Sequence, residues 1–312
     1  MPHHPCIVRA LLFITAIHAQ PAVAQTATGL NCNGCITTTQ IRDGAIRAPD
    51  LAPNVLFGRT VLVRSNGPRP GANCRTLRKA LAQIDDASVR NPVLVKLERG
   101  DYNCGSTPLA MKPFVTIEGA GRSFSRIIGN VADLDLGVVT GANEAALRHL
   151  TVEHAANGSG QVVAINTLGR RVSLTDIAIK LSTATASSGL GILANGGVLD
   201  LTNVSIQTSN SDGGSQGILG TLGAGLNMRN VWIHNSGTAG NPAALELRDT
   251  SSVTGFGILF SSNFFGVLGR DNSVFELVGG AVIGGRGAVG SPSFTCVGIA
   301  KAGFTARAAD CS

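Results

Sequence analysis

Five apolar triplets recur at a constant interval of 27 residues: Leu150-Thr151-Val152, Ile177-Ala178-Ile179, Val204-Ser205-Ile206, Val231-Trp232-Ile233 and Ile258-Leu259-Phe260. A fixed period of roughly 20–50 residues is the mark of a chain that stacks on itself, coil on coil. In such a stack every recurring position becomes a row, so columns of residues read directly as surfaces. Side chains along a strand alternate in direction. Val152, Ile179, Ile206, Ile233 and Phe260 therefore form one inward column. Val172, Leu199, Leu226 and Val253 form a second, and Leu147, Leu174, Leu201 and Met228 a third. His149, Asp176, Asn203 and Asn230, with Gly257 ending the row, occupy one bend. Small polar residues at a bend predict an internal ladder that satisfies turn backbone groups.

Composition agrees with many short strands and tight corners. Of 312 residues only 14% are charged and 4% aromatic, while 40 are glycine. Residues 1–24 read as a secretory signal, with Arg9 the only cation, an apolar run from Ala10 to Ala19, and Ala22-Val23-Ala24 as cleavage site. The mature chain is expected to be exported, without a transmembrane segment, to the periplasm, the outer surface or the medium of a bacterium. Of seven cysteines, Cys6 is lost with the signal, and the even set that remains in an exported chain favours disulfides. Neighbourhood pairs them as Cys32–Cys35, Cys74–Cys104 and Cys296–Cys311, although six cysteines permit many connectivities. The rival reading of Cys32-Asn-Gly-Cys35 as half a zinc site lacks a second Cys or His pair nearby.

The net charge of +6 is uneven. Residues 59–130 carry 12 Lys/Arg against 5 Asp/Glu, and residues 131–312 carry 10 against 12. A basic end on a near-neutral rod attracts an acidic polysaccharide or a negatively charged cell-envelope surface; a solvated face is the plainer reading. Nucleic acid is not expected, since aromatics are few and no recognised reading module is present.

Residues 25–58 differ from the rest. Ile41, Ile46 and Leu51 fall five apart, which fits neither helix nor strand. The stretch resembles short I-x-D-G-A-I-x-x-x-D-L repeats of bacterial and phage surface fibres, which implies a homotrimer through this segment. A linker is the alternative. From Arg59 the pattern sharpens into a strand at 60–64 and an amphipathic helix at 76–87 carrying Leu77, Leu81 and Ile84 on one stripe. Strands follow at 92–100 and 114–118, the latter leading into the glycine corner Gly119-Ala-Gly-Arg122.

That order, with V-x-V-x-L-x-x-G-x-Y and then V-T-I-E-G-A-G-R, resembles the opening of pectin methylesterases and related pectin-lyase-like proteins. The resemblance implies an all-β, right-handed parallel β-helix of three-strand coils over residues 59–293, its open end plugged by an N-terminal α-helix. Residues 294–312 read as a disulfide-closed cap at the far end. An exposed end coil would otherwise present apolar side chains and unpaired backbone groups.

The same resemblance directs attention to catalysis. Esterases of this family use two aspartates, a glutamine pair and an arginine on one outer face. Here the early G-x-Y-x-E motif reads Gly100-Asp-Tyr102-Asn-Cys104, with cysteine in the glutamate's place, and no Q-A-V or Q-D-T-L segment follows. The lyase motif V-W-I-D-H reads Val231-Trp232-Ile233-His234-Asn235, without its aspartate, and R-x-P-x-x-R is missing. Polygalacturonase-type motifs are missing as well. No metal site and no cofactor are expected.

Two outward sets remain. Glu153, Lys180, Gln207 and His234 form a polar column flanked by Thr151, Ala178, Ser205 and Trp232. Trp232, the only tryptophan, suits a sugar ring beside hydrogen-bonding groups; a tryptophan covered by a loop is the plainer reading. Asp200 and Arg229 lie on adjacent coils and read as an acid–base pair or, more ordinarily, as a surface salt bridge. His149 reads as a ladder residue. The expectation is an exported, non-catalytic β-helix that binds an acidic polysaccharide. The alternative is a divergent polysaccharide lyase or pectin-type esterase.

Overall fold

The computed structural model describes residues 57–301 except 156–160, 184–187, 211–213, 239 and 241. The segment Leu150-Thr151-Val152 pairs in parallel with Ile177-Ala178-Ile179, and so on through each triplet, with Val152, Ile179, Ile206, Ile233 and Phe260 in exact register. These five side chains are buried, as are Leu147, Leu174, Leu201 and Met228 in the neighbouring column. Every pairing between the named strands is parallel, and the described residues form a parallel β-helix. The first strand of each coil runs through Gln161–Asn166, Ser188–Asn195, Gly214–Thr221 and Ala243–Leu247. The second runs through Val198–Thr202 and Gly225–Arg229, and the third through Ser205–Asn210 and Trp232–Asn235.

The bend between second and third strands explains the small polar row. His149, Asp176, Asn203 and Asn230 all adopt φ of 53–54°, and Gly257 follows at 63°. Asn and Asp tolerate this left-handed conformation, which turns the chain in one residue. The ladder itself lies outside, not inside as the sequence reading had it. His149 Nδ1 meets Asp176 Oδ2 at 2.8 Å and Asn230 Nδ2 donates to Asn203 Oδ1 at 3.2 Å, all with exposed edges. A short corner places its side chain outward, where it bonds to the next coil's copy.

The N-terminal plug is the helix Pro70–Ala82. It starts six residues before the position read from the apolar stripe, because Pro70 opens the first turn, where its missing N–H costs nothing. Asn73, Cys74, Leu77 and Leu81 face the first coil. Asn73, fully buried, donates to the Asp101 carbonyl at 2.8 Å and accepts from the Asn66 amide at 2.6 Å. Cys74 is disulfide-bonded to Cys104, tying the plug to the coil beneath it.

At the other end the coils shorten. Phe260 lies in register with Val282, 22 residues on, and Val274 with Ser293, 19 residues on. Among the described residues Ser293–Lys301 is the last strand of the stack, paired in parallel with Val274–Val282, so residues 294–301 extend the helix and are not a flap. Phe294 stacks on Phe275 at 4.6 Å between ring centroids. Cys296 is buried and disulfide-bonded. Its pairing with Cys311 falls outside the described residues, as do the signal segment, residues 25–56 and Cys32–Cys35. Among the described residues no helix is long and apolar enough to cross a membrane.

Candidate functional site

Because Val152, Ile179, Ile206 and Ile233 point into the shaft, their neighbours on the third strands point out. Thr151, Ala178, Ser205 and Trp232 stand in one register column, with Glu153, Lys180, Gln207 and His234 in the next. The structure thus brings together all five residues that the sequence nominated for ligand binding. Trp232 is half-buried and its indole stacks on the His234 imidazole, with 6.1 Å between centroids and 10° between planes. The His234 Nδ1 lies 3.4 Å from Ser261 Oγ on the following coil. Gln207 and Lys180 are exposed.

Toward the N-terminal end the face becomes ionic. Arg126 donates through Nε and Nη2 to both oxygens of Asp101, at 2.8 and 2.7 Å, and through Nη1 to Glu153 at 3.2 Å. The Asp101 hydrogen bonds, reinforced by both carboxylate charges, push the guanidinium pKa up. Arg122, on the glycine corner, reaches across several coils. Its Nε pairs with Asp176 at 2.7 Å, its Nη1 donates to Ser205 Oγ, and its Nη2 donates to the Asn203 carbonyl. Thr151 Oγ donates back to the Arg122 carbonyl at 2.7 Å. The His149 hydrogen bond, then the Arg122 charge, hold the Asp176 carboxyl below its ordinary value.

Two open grooves follow this face. One of about 530 Å³ is lined by Asp101, Arg122, Arg126, Thr151 and Lys180. The other, of about 360 Å³, is lined by Lys180, Ser182, Gln207, Ser209, His234 and Ser236. Lys180 belongs to both, so the grooves join end to end. Asp101, Glu153 and Asp176 are all ion-paired, whereas Lys180 has no ion pair among the described residues.

Asp200 and Arg229 are not partners. Asp200 Oδ2 accepts from Arg171 at 3.0 Å and Oδ1 from Asn227 Nδ2 at 2.8 Å. The register places Asn227, not Arg229, beside Asp200, and Arg229 beside Thr202. Arg171 and Arg229 each stand two residues off Asp200 in register, on opposite sides of it, and Arg171 is the one that pairs. In the G-x-Y motif, Tyr102 is buried, its hydroxyl donating to the Glu98 carbonyl at 2.8 Å. Burial and the Glu98 charge push its pKa up to about 12. Cys104, in the glutamate's place, is used up in the bridge.

One cluster escaped the sequence reading. Glu246, 1% exposed, accepts from Arg248 Nε at 2.8 Å and Arg270 Nε at 2.6 Å, and from Gln216 Nε2 at 3.2 Å. It interrupts an outward column of leucines, Leu193, Leu219 and Leu268, on the first strands. Following that column would have revealed it. With both oxygens occupied by donors, Glu246 serves as a bound counter-ion. Among the described residues no three His, Cys, Asp or Glu side chains gather as metal ligands.

No protein-family model matches the chain, and no curated protein matches it. Among solved structures, one match is a crystal structure of pectin methylesterase in complex with a hexasaccharide. It is 14% identical, with a TM-score of 0.41, covering 82% of this chain and 92% of that one.

Proposed function

We propose that the protein is an exported, non-catalytic β-helix that works at the cell surface or outside the cell and holds an acidic polysaccharide along its third-strand face. The observation that carries this is one open groove lined by His234, Gln207 and Lys180, which has no ion pair among the described residues, with the Trp232 ring stacked on His234 at its border. A sugar ring offers an apolar C–H face to an aromatic platform and hydroxyl edges to amide and hydroxyl groups. The groove runs along the rod axis, as a polymer requires. Lys180 supplies the cation for a uronate carboxylate, and the basic first coils strengthen the pull on a polyanion.

Co-sedimentation of the full chain with insoluble polyuronate tests the reading. Retention of the parent protein, with loss in both Trp232→Ala and Lys180→Ala, supports it; equal retention of parent and both variants rejects the groove. A second reading, a divergent lyase or esterase, draws on the fixed His149–Asp176–Arg122 chain, since a carboxylate on Nδ1 orients an imidazole for proton transfer. Release of unsaturated uronate or methanol from pectins, lost in His149→Ala, would establish it over the first.

A further inference from the structure

A separate open groove of about 310 Å³ lies on the second-strand face, with none of the residues of the third-strand grooves. Asp200, Asn227 and Thr254 stand in one column of this face, and Thr202, Arg229 and Phe256 in the adjoining one. Three features distinguish it from an ordinary polar surface. Phe256 is 58% exposed, the highest value among the exposed phenylalanines of the described residues. Arg229 is exposed and its guanidinium has no ion pair or hydrogen bond among the described residues. Although the two are neighbours in register, the cation–π contacts of the described residues lie elsewhere, at Arg99–Phe124, Arg148–Phe57 and Arg286–Phe294. Neither the ring nor the cation is spent on the other.

The polar half is, by contrast, set in place. Arg171 and Asn227 hold one oxygen each of the Asp200 carboxylate, and each oxygen keeps further acceptor capacity. Arg171 also offsets the Asp200 charge, leaving Arg229 as the uncompensated charge of the groove.

We infer that this groove is a second binding site, for a pyranose ring bearing an anionic substituent. Phe256 supports the apolar face of the ring. Arg229 takes the anion, for which the planar guanidinium fork is suited. Asp200, Asn227, Thr202 and Thr254 take the hydroxyls. This assignment stands apart from the third-strand reading, since it uses another face and other residues. With both faces occupied the rod is bivalent and ties two sugar chains together, or one chain twice, with the gain in avidity that linked sites bring.

A carboxylate and a sulfate ester both supply such an anion, and the experiment separates the two. Backbone amides of Thr202, Arg229 and Phe256 in the full chain are followed by nuclear magnetic resonance during titration with galacturonate, galactose 6-sulfate and galactose. The expected result is saturable shifts with at least one anionic sugar, and binding of galactose weaker by about tenfold, the worth of one charge-assisted contact. Whichever anionic sugar binds identifies the substituent. Arg229→Gln removes the difference between charged and neutral sugar. Phe256→Leu, which keeps apolar bulk without a ring, weakens every sugar by roughly fivefold to tenfold. Lys180→Ala and Trp232→Ala leave these shifts unchanged, so failure of the third-strand groove is told apart from failure here. Absence of localised shifts with all three sugars, or parental affinity in both Arg229→Gln and Phe256→Leu, overturns the assignment.

Discussion

Replacing Ile206 by alanine tests the alternation on which every surface assignment depends. Ile206 is fully buried, stacked between Ile179 and Ile233. Its Cγ2 lies only 2.6 Å from where a Cβ on Gly191 would sit, so the shaft closes tightly around it. Truncation removes three carbon groups, worth about 0.8 kcal/mol each in transfer alone, or roughly 2.4 kcal/mol. The hydrogen-bonded coils on either side resist collapse into the void, and the cavity contribution brings the loss to about 3–4 kcal/mol. That is a large share of the roughly 5–15 kcal/mol that holds an ordinary domain folded. The next residue, Gln207, is exposed, and its replacement by alanine should move stability by no more than about 0.5 kcal/mol. Urea denaturation of the full chain, followed by circular dichroism and by Trp232 fluorescence, measures both. Coincident transitions are the check that one free energy describes a stacked chain. Equal losses at the two positions, or a larger one at Gln207, would refute the inward–outward assignment and the site built on it.

Three further outcomes are expected. Replacing Cys74 and Cys104 together, which opens a loop with a sequence separation of 30, should cost about 3–4 kcal/mol by loop entropy, read as a lower urea midpoint. His154 is buried with Nε2 beside the Val131 carbonyl, and burial lowers its pKa below the ordinary 6.5. The unfolded chain therefore takes up the proton first, so its contribution is present above pH 6.5 and is lost as pH falls through the folded pKa; melting temperatures from pH 7 to 5 should fall less in His154→Gln. Asn235 donates to the Ser215 and Ala243 carbonyls and accepts from Ser215 Oγ and the Gly237 amide, all buried. Its replacement by alanine strands several of these groups and should cost about 2–4 kcal/mol in the same denaturation assay.

What the chain reveals in its letters follows from what is periodic. The coil length, the three inward columns and the turn-forming run from His149 to Gly257 are strictly repeated, and backbone stacking obeys them. The Trp232 and Lys180 columns follow from the same register. Contacts made by long side chains are another matter. Arg122 bridges to Asp176 and Ser205 from a glycine corner that precedes the repeats, and no spacing rule foretells its reach. Arg171 captures Asp200 from the preceding coil's edge, where Arg229 looked equally near by number. The shortened coils after Asp249 hide because the triplet at 258–260 still keeps the old interval, while the strands after it no longer do. Glu246 was legible in principle, as one acid among leucines, but only once the first strands are aligned.

Parallel stacking sets each coil about 4.8 Å above the last, so the exterior works as a ruler with one chemically distinct graduation per coil. Along the third-strand edge the marks read Ile128, Glu153, Lys180, Gln207 and His234. A ligand lying on that edge is therefore measured as well as gripped, since sliding it by one graduation exchanges a carboxylate for an ammonium group. Substitution at one coil rewrites one mark and leaves the scale intact.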